Sequence, residues 1–308
     1  MNGGRSTMSD ENMMWLAIDD PLAISAVQAI RTGDVPGLTQ LLASNPGLAT
    51  ARIVGTEEGR ASNEGSGETG DAEASSVNSA NANSEDPGAN GVNSGGGTNR
   101  GLSRALLHIA TDWPGHYPNN AAVVTALIEA GAEVNAQFSG PHSETPLHWA
   151  ASCDDVEVLD LLLDAGADIE APGAVIAGGT PLDDAVAFAQ WQAAQRLVER
   201  GAQPALWHAA ALGLLDAMEA HFTGHPLPRR YPWGASSASA APDEVNVAFW
   251  CACHGGQRAA AEFLLAQGAE LSWPSPWDGL TPLDVAKRSH ATELAAWLES
   301  LGAQSAHL

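Results

Sequence analysis

The sequence predicts an all-α solenoid of about seven helix-turn-helix units, and three periodic features carry that reading. Gly-Ala pairs recur at Gly131, Gly166, Gly201, Gly234, Gly268 and Gly302, at successive intervals of 35, 35, 33, 34 and 34 residues. A leucine-rich amphipathic run precedes most of them, as in VVTALIEAGA, VLDLLLDAGA and AAEFLLAQGA. Thr-Pro-Leu followed by His or Asp opens three units, at Thr145–His148, Thr180–Asp183 and Thr281–Asp284. Thr is a good helix cap, and Pro fits the first turn because its missing N–H costs nothing there. Leu and the Ala-Ala pair that follows give a short helix with a thin inner face. The leucine-rich helix returns antiparallel, and Gly after it supplies a left-handed C-cap. One such unit cannot bury its own apolar face, so the units stack.

Taken in order, residues 1–20 read as an N-terminal tail and residues 21–54 as a capping unit that lacks the Thr-Pro-Leu signature. The second unit starts near Ala105 (ALLHIAT) and carries extra residues around DWPGHYPNN. Units three and four start at Thr145 and Thr180. The fifth, ALWHAAALGLLDAMEAHF, follows Gly201-Ala202 almost at once. The sixth starts near Val247 and the seventh at Thr281; residues 304–308 are a tail. A period near 33 with Thr-Pro-Leu-His and a Leu-rich helix before Gly-Ala resembles the ankyrin repeat, and TPLHWAASCDDVEVLDLLLDAGADIEA matches that pattern nearly throughout. The resemblance covers residues 21–54 and 103–303. It implies short hairpin fingers between units, with one missing before unit five, and a non-catalytic protein-binding function.

Two segments interrupt the pattern. Residues 55–102 form a Gly/Ser/Asn-rich acidic insert; within 55–100 stand eight acidic residues, two arginines, ten glycines and, apart from two valines, no large apolar side chain. Such a stretch cannot bury enough surface to offset ordering entropy, so it is expected to be disordered. Residues 223–245 form a second, irregular insert.

Composition narrows the function. Over 308 residues, 37 acidic side chains face 13 basic ones, for a net charge of −24, while 44% hydrophobic residues suffice for a core. The insert carries −6 of that charge, which leaves −18 on the repeats and ends. Phosphates and anionic lipid surfaces repel such a chain, so neither nucleic acid nor membrane is an expected partner. Three cysteines make no disulfide framework, the first twenty residues hold no signal-like apolar core, and no apolar run reaches membrane-spanning length. A soluble cytoplasmic monomer is expected.

Candidate chemistry is sparse. Cys251, Cys253 and His254 suggest a metal or thiol site, but residues two apart on a helix point about 200° apart, and the repeat register places both cysteines in the core. His108 and His148 hold the fourth position of the motif; in the ankyrin family this imidazole ties adjacent units together. Trp207 and Trp250 are read as its replacements in units five and six, and Trp149, Trp191 and Trp297 as core residues. His221, His225, Arg229 and Arg230 make the most basic patch and read as a solvated loop. Gly65, Gly67 and Gly70 spell a dinucleotide motif without its strand and helix, and are set aside. No catalytic residue, cofactor or metal is expected.

By resemblance, the finger tips and the exposed side of the first helices form a concave binding face. Mapped onto this sequence it holds Trp113, Phe138, His142, Phe188, Trp273, Trp277 and Arg288. The expected function is a protein-interaction scaffold whose partner offers a basic surface. Alanine at Trp273 or Phe138 should then weaken capture and leave thermal stability nearly unchanged. Two alternatives stand beside it: a metal- or thiol-dependent enzyme using Cys251, Cys253 and His254, and a regulatory protein that neutralises a basic site on a cognate partner.

Overall fold

Fourteen helices fall into seven antiparallel pairs in the computed structural model, which describes residues 13–55, 102–232 and 242–306. The pairs are α1 (Pro21–Thr32) with α2 (Val35–Ser44), α3 (Leu106–Ala110) with α4 (Asn120–Glu129), and α5 (Pro146–Ser152) with α6 (Val156–Asp164). They continue with α7 (Pro181–Ala187) and α8 (Trp191–Glu199), then α9 (Leu206–Leu212) and α10 (Leu215–Phe222). Last come α11 (Glu244–His254) with α12 (Arg258–Ala266), and α13 (Pro282–Arg288) with α14 (Thr292–Ser300). First helices stack in chain order, each on the next. Ala23, Ala26, Ala150, Ala151, Ala185 and Ala209–Ala211 lie at their buried contacts, where small side chains let backbones approach. Second helices contribute Leu127, Leu159, Leu162, Leu197, Leu264 and Leu298, all fully buried, while the bulkiest core side chains, Trp207, Phe249 and Trp250, stand on the first helices α9 and α11. The result is the all-α repeat solenoid that the spacing predicts.

The Gly-Ala ruler marks the ends of the second helices. Gly131, Gly166, Gly201, Gly268 and Gly302 all have φ between 88° and 105°, two residues past the last helical residue, as a left-handed cap requires. Gly234 lies outside the described residues, as do residues 56–101 of the 55–102 segment expected to be disordered.

One element goes beyond the periodic reading. Trp15–Ala17 (β1), inside the stretch read as an N-terminal tail, runs parallel to Arg52–Val54 (β2), which pairs antiparallel with Ser103–Ala105 (β3). Ser103 also bridges Ser139, so this small sheet meets the finger that follows α4. Arg52 pins the junction: its Nη2 donates to the carbonyls of Ser103 (3.1 Å) and Gln137 (2.5 Å). Burial among carbonyls lowers its pKa from the usual guanidinium value.

Candidate partner-binding face

The fourth motif position decides how each finger is held. His108, His148 and His208 each accept a backbone N–H on Nδ1, from Ala105, Thr145 and Ala205 at 3.3, 3.0 and 2.9 Å. With Nδ1 an acceptor, the neutral ring carries its proton on Nε2. His108 and His148 then donate Nε2–H to the carbonyls of Glu144 (3.0 Å) and Gly179 (3.4 Å), each just before the first residue of the next unit. Burial brings their pKa values down to about 3 and about 4, so both rings stay neutral. In the sixth unit Trp250 does the same work, donating its indole N–H to Leu280 O at 2.9 Å.

The fifth unit differs from the sequence reading. Without a Thr-Pro pair to fix the register, the sequence puts Trp207 one position late. His208 is the motif histidine, and Trp207 fills the preceding leucine position, 2% exposed. The threonines differ as well. Thr180 and Thr281 donate their hydroxyls to Asp183 and Asp284 at 2.6 and 2.8 Å; Thr281 Oγ1 also caps its helix by accepting the Asp284 amide at 3.4 Å, whereas at α7 the Asp183 carboxylate, accepting the Thr180 amide at 2.7 Å, takes the larger part.

Two adjacent fingers, residues 130–145 and 165–180, enclose a groove of about 550 Å³. One wall is residues 138–143 and the other is Gly173, Ala174 and Gly178. The Ser143 amide donates to Gly173 O at 3.3 Å across the floor. Gly173 has φ 125°, and a Cβ there would lie 2.5 Å from Ser143 O, so only glycine lets the fingers close to this spacing. Phe138 is half-buried against Trp149, with ring centroids 5.6 Å apart, and His142 is exposed at the rim.

The other sequence-chosen residues divide between two places. Trp273 and Trp277 are half-buried and pack edge-on to each other; Trp277 meets Trp250 at 5.0 Å, and Arg288 covers the Trp250 ring at 5.5 Å while pairing with Asp278 at 3.1 Å. These tryptophans therefore contribute to the packing of their own finger. Trp113, 72% exposed, and Phe188, the C-cap of α7, stand at the helix-to-helix turns, opposite the fingers. There the Trp113 loop packs on the next turn, with His116 Nε2 3.0 Å from Cys153 O.

The basic patch is not a free solvated loop. Arg230 reaches back to Thr180 Oγ1 (3.3 Å), Glu170 Oε2 (3.4 Å) and Asp183 Oδ2 (3.5 Å), and also donates to Gln203 O. Arg229 pairs with Glu244 at 3.9 Å. Asp183 also faces His208 at 3.6 Å. Burial works against its charge, but the facing His208 ring and hydrogen bonds from the Thr180 hydroxyl and amide bring its pKa down to about 2.

Cys251 and Cys253 are fully buried, and burial pushes both thiols up, away from thiolate. His254 sits with Nε2 3.2 Å from Val186 O and Nδ1 3.3 Å from Ser289 Oγ. Among the described residues, no group of three or more His, Cys, Asp or Glu side chains is placed to hold a metal ion.

Paired helices, left-handed glycine caps and imidazoles clasping the next unit meet a matching family profile. Ankyrin repeats, in three copies, match residues 107–208. Residues 107–208 are therefore ankyrin repeats. A putative ankyrin repeat protein of fowlpox virus (strain NVSL) is 46% identical over 50 residues, 16% of this chain and 9% of that relative's length. Ankyrin repeats are generally protein–protein interaction modules, typically without catalysis. No helix among the described residues is long and apolar enough to cross a membrane.

Proposed function

We propose that this ankyrin-repeat chain is a non-catalytic scaffold that binds a partner protein along its finger side, with the groove between residues 138–143 and Gly173–Gly178 as the principal contact. The carrying observation is that groove: a glycine-floored cleft between two fingers, with an aromatic ring on one wall and an exposed imidazole at its rim. Trp273, Trp277 and Arg288 extend the same side toward the last units.

Charge favours a basic partner. Each of the ten Arg and Lys side chains among the described residues is already engaged within the chain, nine in ion pairs and Arg52 on carbonyls. The charge left over is therefore negative, and association with a basic surface should slow as salt screens it. The test is affinity capture with wild type and with His142→Ala and Phe138→Ala proteins. The reading requires a protein retained by wild type and reduced about tenfold or more by the variants, the loss of a buried aromatic anchor. Because Phe138 touches Trp149, melting temperatures are measured alongside. Undiminished capture by both folded variants would remove this groove from the function.

A further inference from the structure

The connections between helix pairs are uneven. Residues 130–145, 165–180 and 267–281 each form a finger, whereas α8 reaches α9 through residues 200–205 alone. The missing finger leaves Asp183 and Thr180, at the start of α7, without the cover that their counterparts have. The next connection supplies that cover. Residues 223–232 fold back, anchored by the Leu227 amide on His221 Nδ1 at 3.0 Å, and place the Arg230 guanidinium over the gap.

We propose that Glu170, Thr180, Asp183 and the Gln203 carbonyl form an arginine-recognition site on the finger side, which Arg230 of the same chain occupies as an internal stand-in, and that a partner docks by placing its own arginine there. The proposal rests on the protein-binding reading above and names the partner's chemistry: an exposed arginine in an extended basic segment.

Two features point to a guanidinium rather than any cation. Nη1 is shared among two carboxylates and a hydroxyl, while Nη2, the other arm of the fork, donates to a carbonyl. A planar fork carries two such nitrogens to separate acceptors at once, and a single ammonium nitrogen does not. The occupant is also incompletely held, since Arg230 Nε is buried without a hydrogen-bond partner. An arriving arginine that satisfied all its donors would bind the same cluster more tightly than the stand-in does.

The decisive experiment uses a fluorescent peptide of the chain's own residues 226–232, PLPRRYP, added to the full-length protein and followed by polarisation. Arg230→Ala protein should bind it at least about tenfold more tightly than wild type, because its site is vacated; the same peptide with lysine in place of its second arginine should lose about tenfold. Arg230→Lys, which keeps the charge if the alanine variant folds poorly, should show an intermediate gain. Equal peptide affinity for wild type and both variants would overturn the proposal. Equal affinity for the arginine and lysine peptides would overturn arginine recognition. Failure here and failure of the groove separate cleanly: Phe138→Ala leaves the peptide titration unchanged, and Arg230→Ala leaves the residue 138–143 wall unchanged.

Discussion

Glu144 and Asp184 bring carboxyl groups from two neighbouring units into one water-poor space beneath the groove. Glu144 is 7% exposed and Asp184 fully buried. Asp184 Oδ1 accepts the Ile176 amide at 3.2 Å, and Glu144 stands against the Asp184 carboxyl and the Trp149 side chain. Burial raises the Glu144 pKa to about 7; it also raises Asp184 well above the ordinary range, with Glu144 adding to the shift. The other charged neighbour, Asp183, pushes the same way. A carboxyl whose folded pKa lies above its unfolded value near 4.3 stabilises the fold fully below that value, and the contribution is lost as pH rises through about 7. At 1.36 kcal/mol per unit, the rise to about 7 amounts to up to about 4 kcal/mol for Glu144. Glu144→Gln removes the titration and keeps the shape. From pH 6 to 8, where buried histidines add stability and Glu144 removes it, the melting temperature of the variant should therefore rise more than that of wild type. Parallel curves would mean that Glu144 is ionised in the fold at both pH values.

At the scale of elements, the turn between first and second helix sets a backbone demand that not every unit meets equally. Gly33, Gly213 and Gly256 take φ of 67°, 69° and 67° there. Ala189 holds the same left-handed position at 58° with a Cβ, which costs about 1–2 kcal/mol against right-handed backbone. Glycine gives back roughly 0.5–1 kcal/mol of that in unfolded-chain entropy. Ala189→Gly should thus stabilise the protein by about 0.5–1 kcal/mol in denaturant melts, and a lower midpoint would show that local packing of the Ala189 methyl outweighs the strain. These turns also show what was legible in the sequence. Helix pairs, caps and the buried Cys251 and Cys253 follow from local spacing, so the repeat ruler finds them. Arg52 on Gln137 O and Arg230 on Glu170 join residues 85 and 60 apart, and side chain to distant partner leaves no periodic trace. Unit five lost its Thr-Pro, and with it the register that separates Trp207 from His208. Of the candidate site, Phe138 and His142 were legible because fingers have fixed places in the repeat; the packing of Trp273 on Trp277 was not, because two aromatics in one loop read alike whether exposed or stacked.

Across the whole molecule, two opposing terms set how the solenoid responds to acid. The net charge of −24 strains the fold by self-repulsion, and acid relieves this only when ordinary carboxylates protonate, near pH 4. The buried histidines act earlier. Burial holds His108 at about 3 and His148 and His254 at about 4, so all three stay neutral in the fold while the unfolded chain takes up protons from about pH 6.5 downward. A histidine with a depressed folded pKa stabilises fully above the unfolded value and loses that contribution as pH falls toward the folded one. Between pH 7 and 5, each of the three removes about 2 kcal/mol. Glu144, titrating the other way, restores about 2 kcal/mol over the same interval. Asp184, raised like Glu144, and His208, lowered like the other rings, act in opposite directions; the three histidines and Glu144 leave a net loss of about 4 kcal/mol, larger than any relief from surface carboxylates still mostly ionised at pH 5. The melting temperature should therefore fall by about 10 °C from pH 7 to pH 5, and more steeply in Glu144→Gln, where the offset is gone. Repeating the scan in 0.5 M salt on the order of a 4 Å Debye length suppresses surface repulsion and leaves the buried rings untouched. A melting temperature that holds or climbs toward pH 5 in both salts would show that the imidazoles clasping each finger are reached by water and protons in the folded chain.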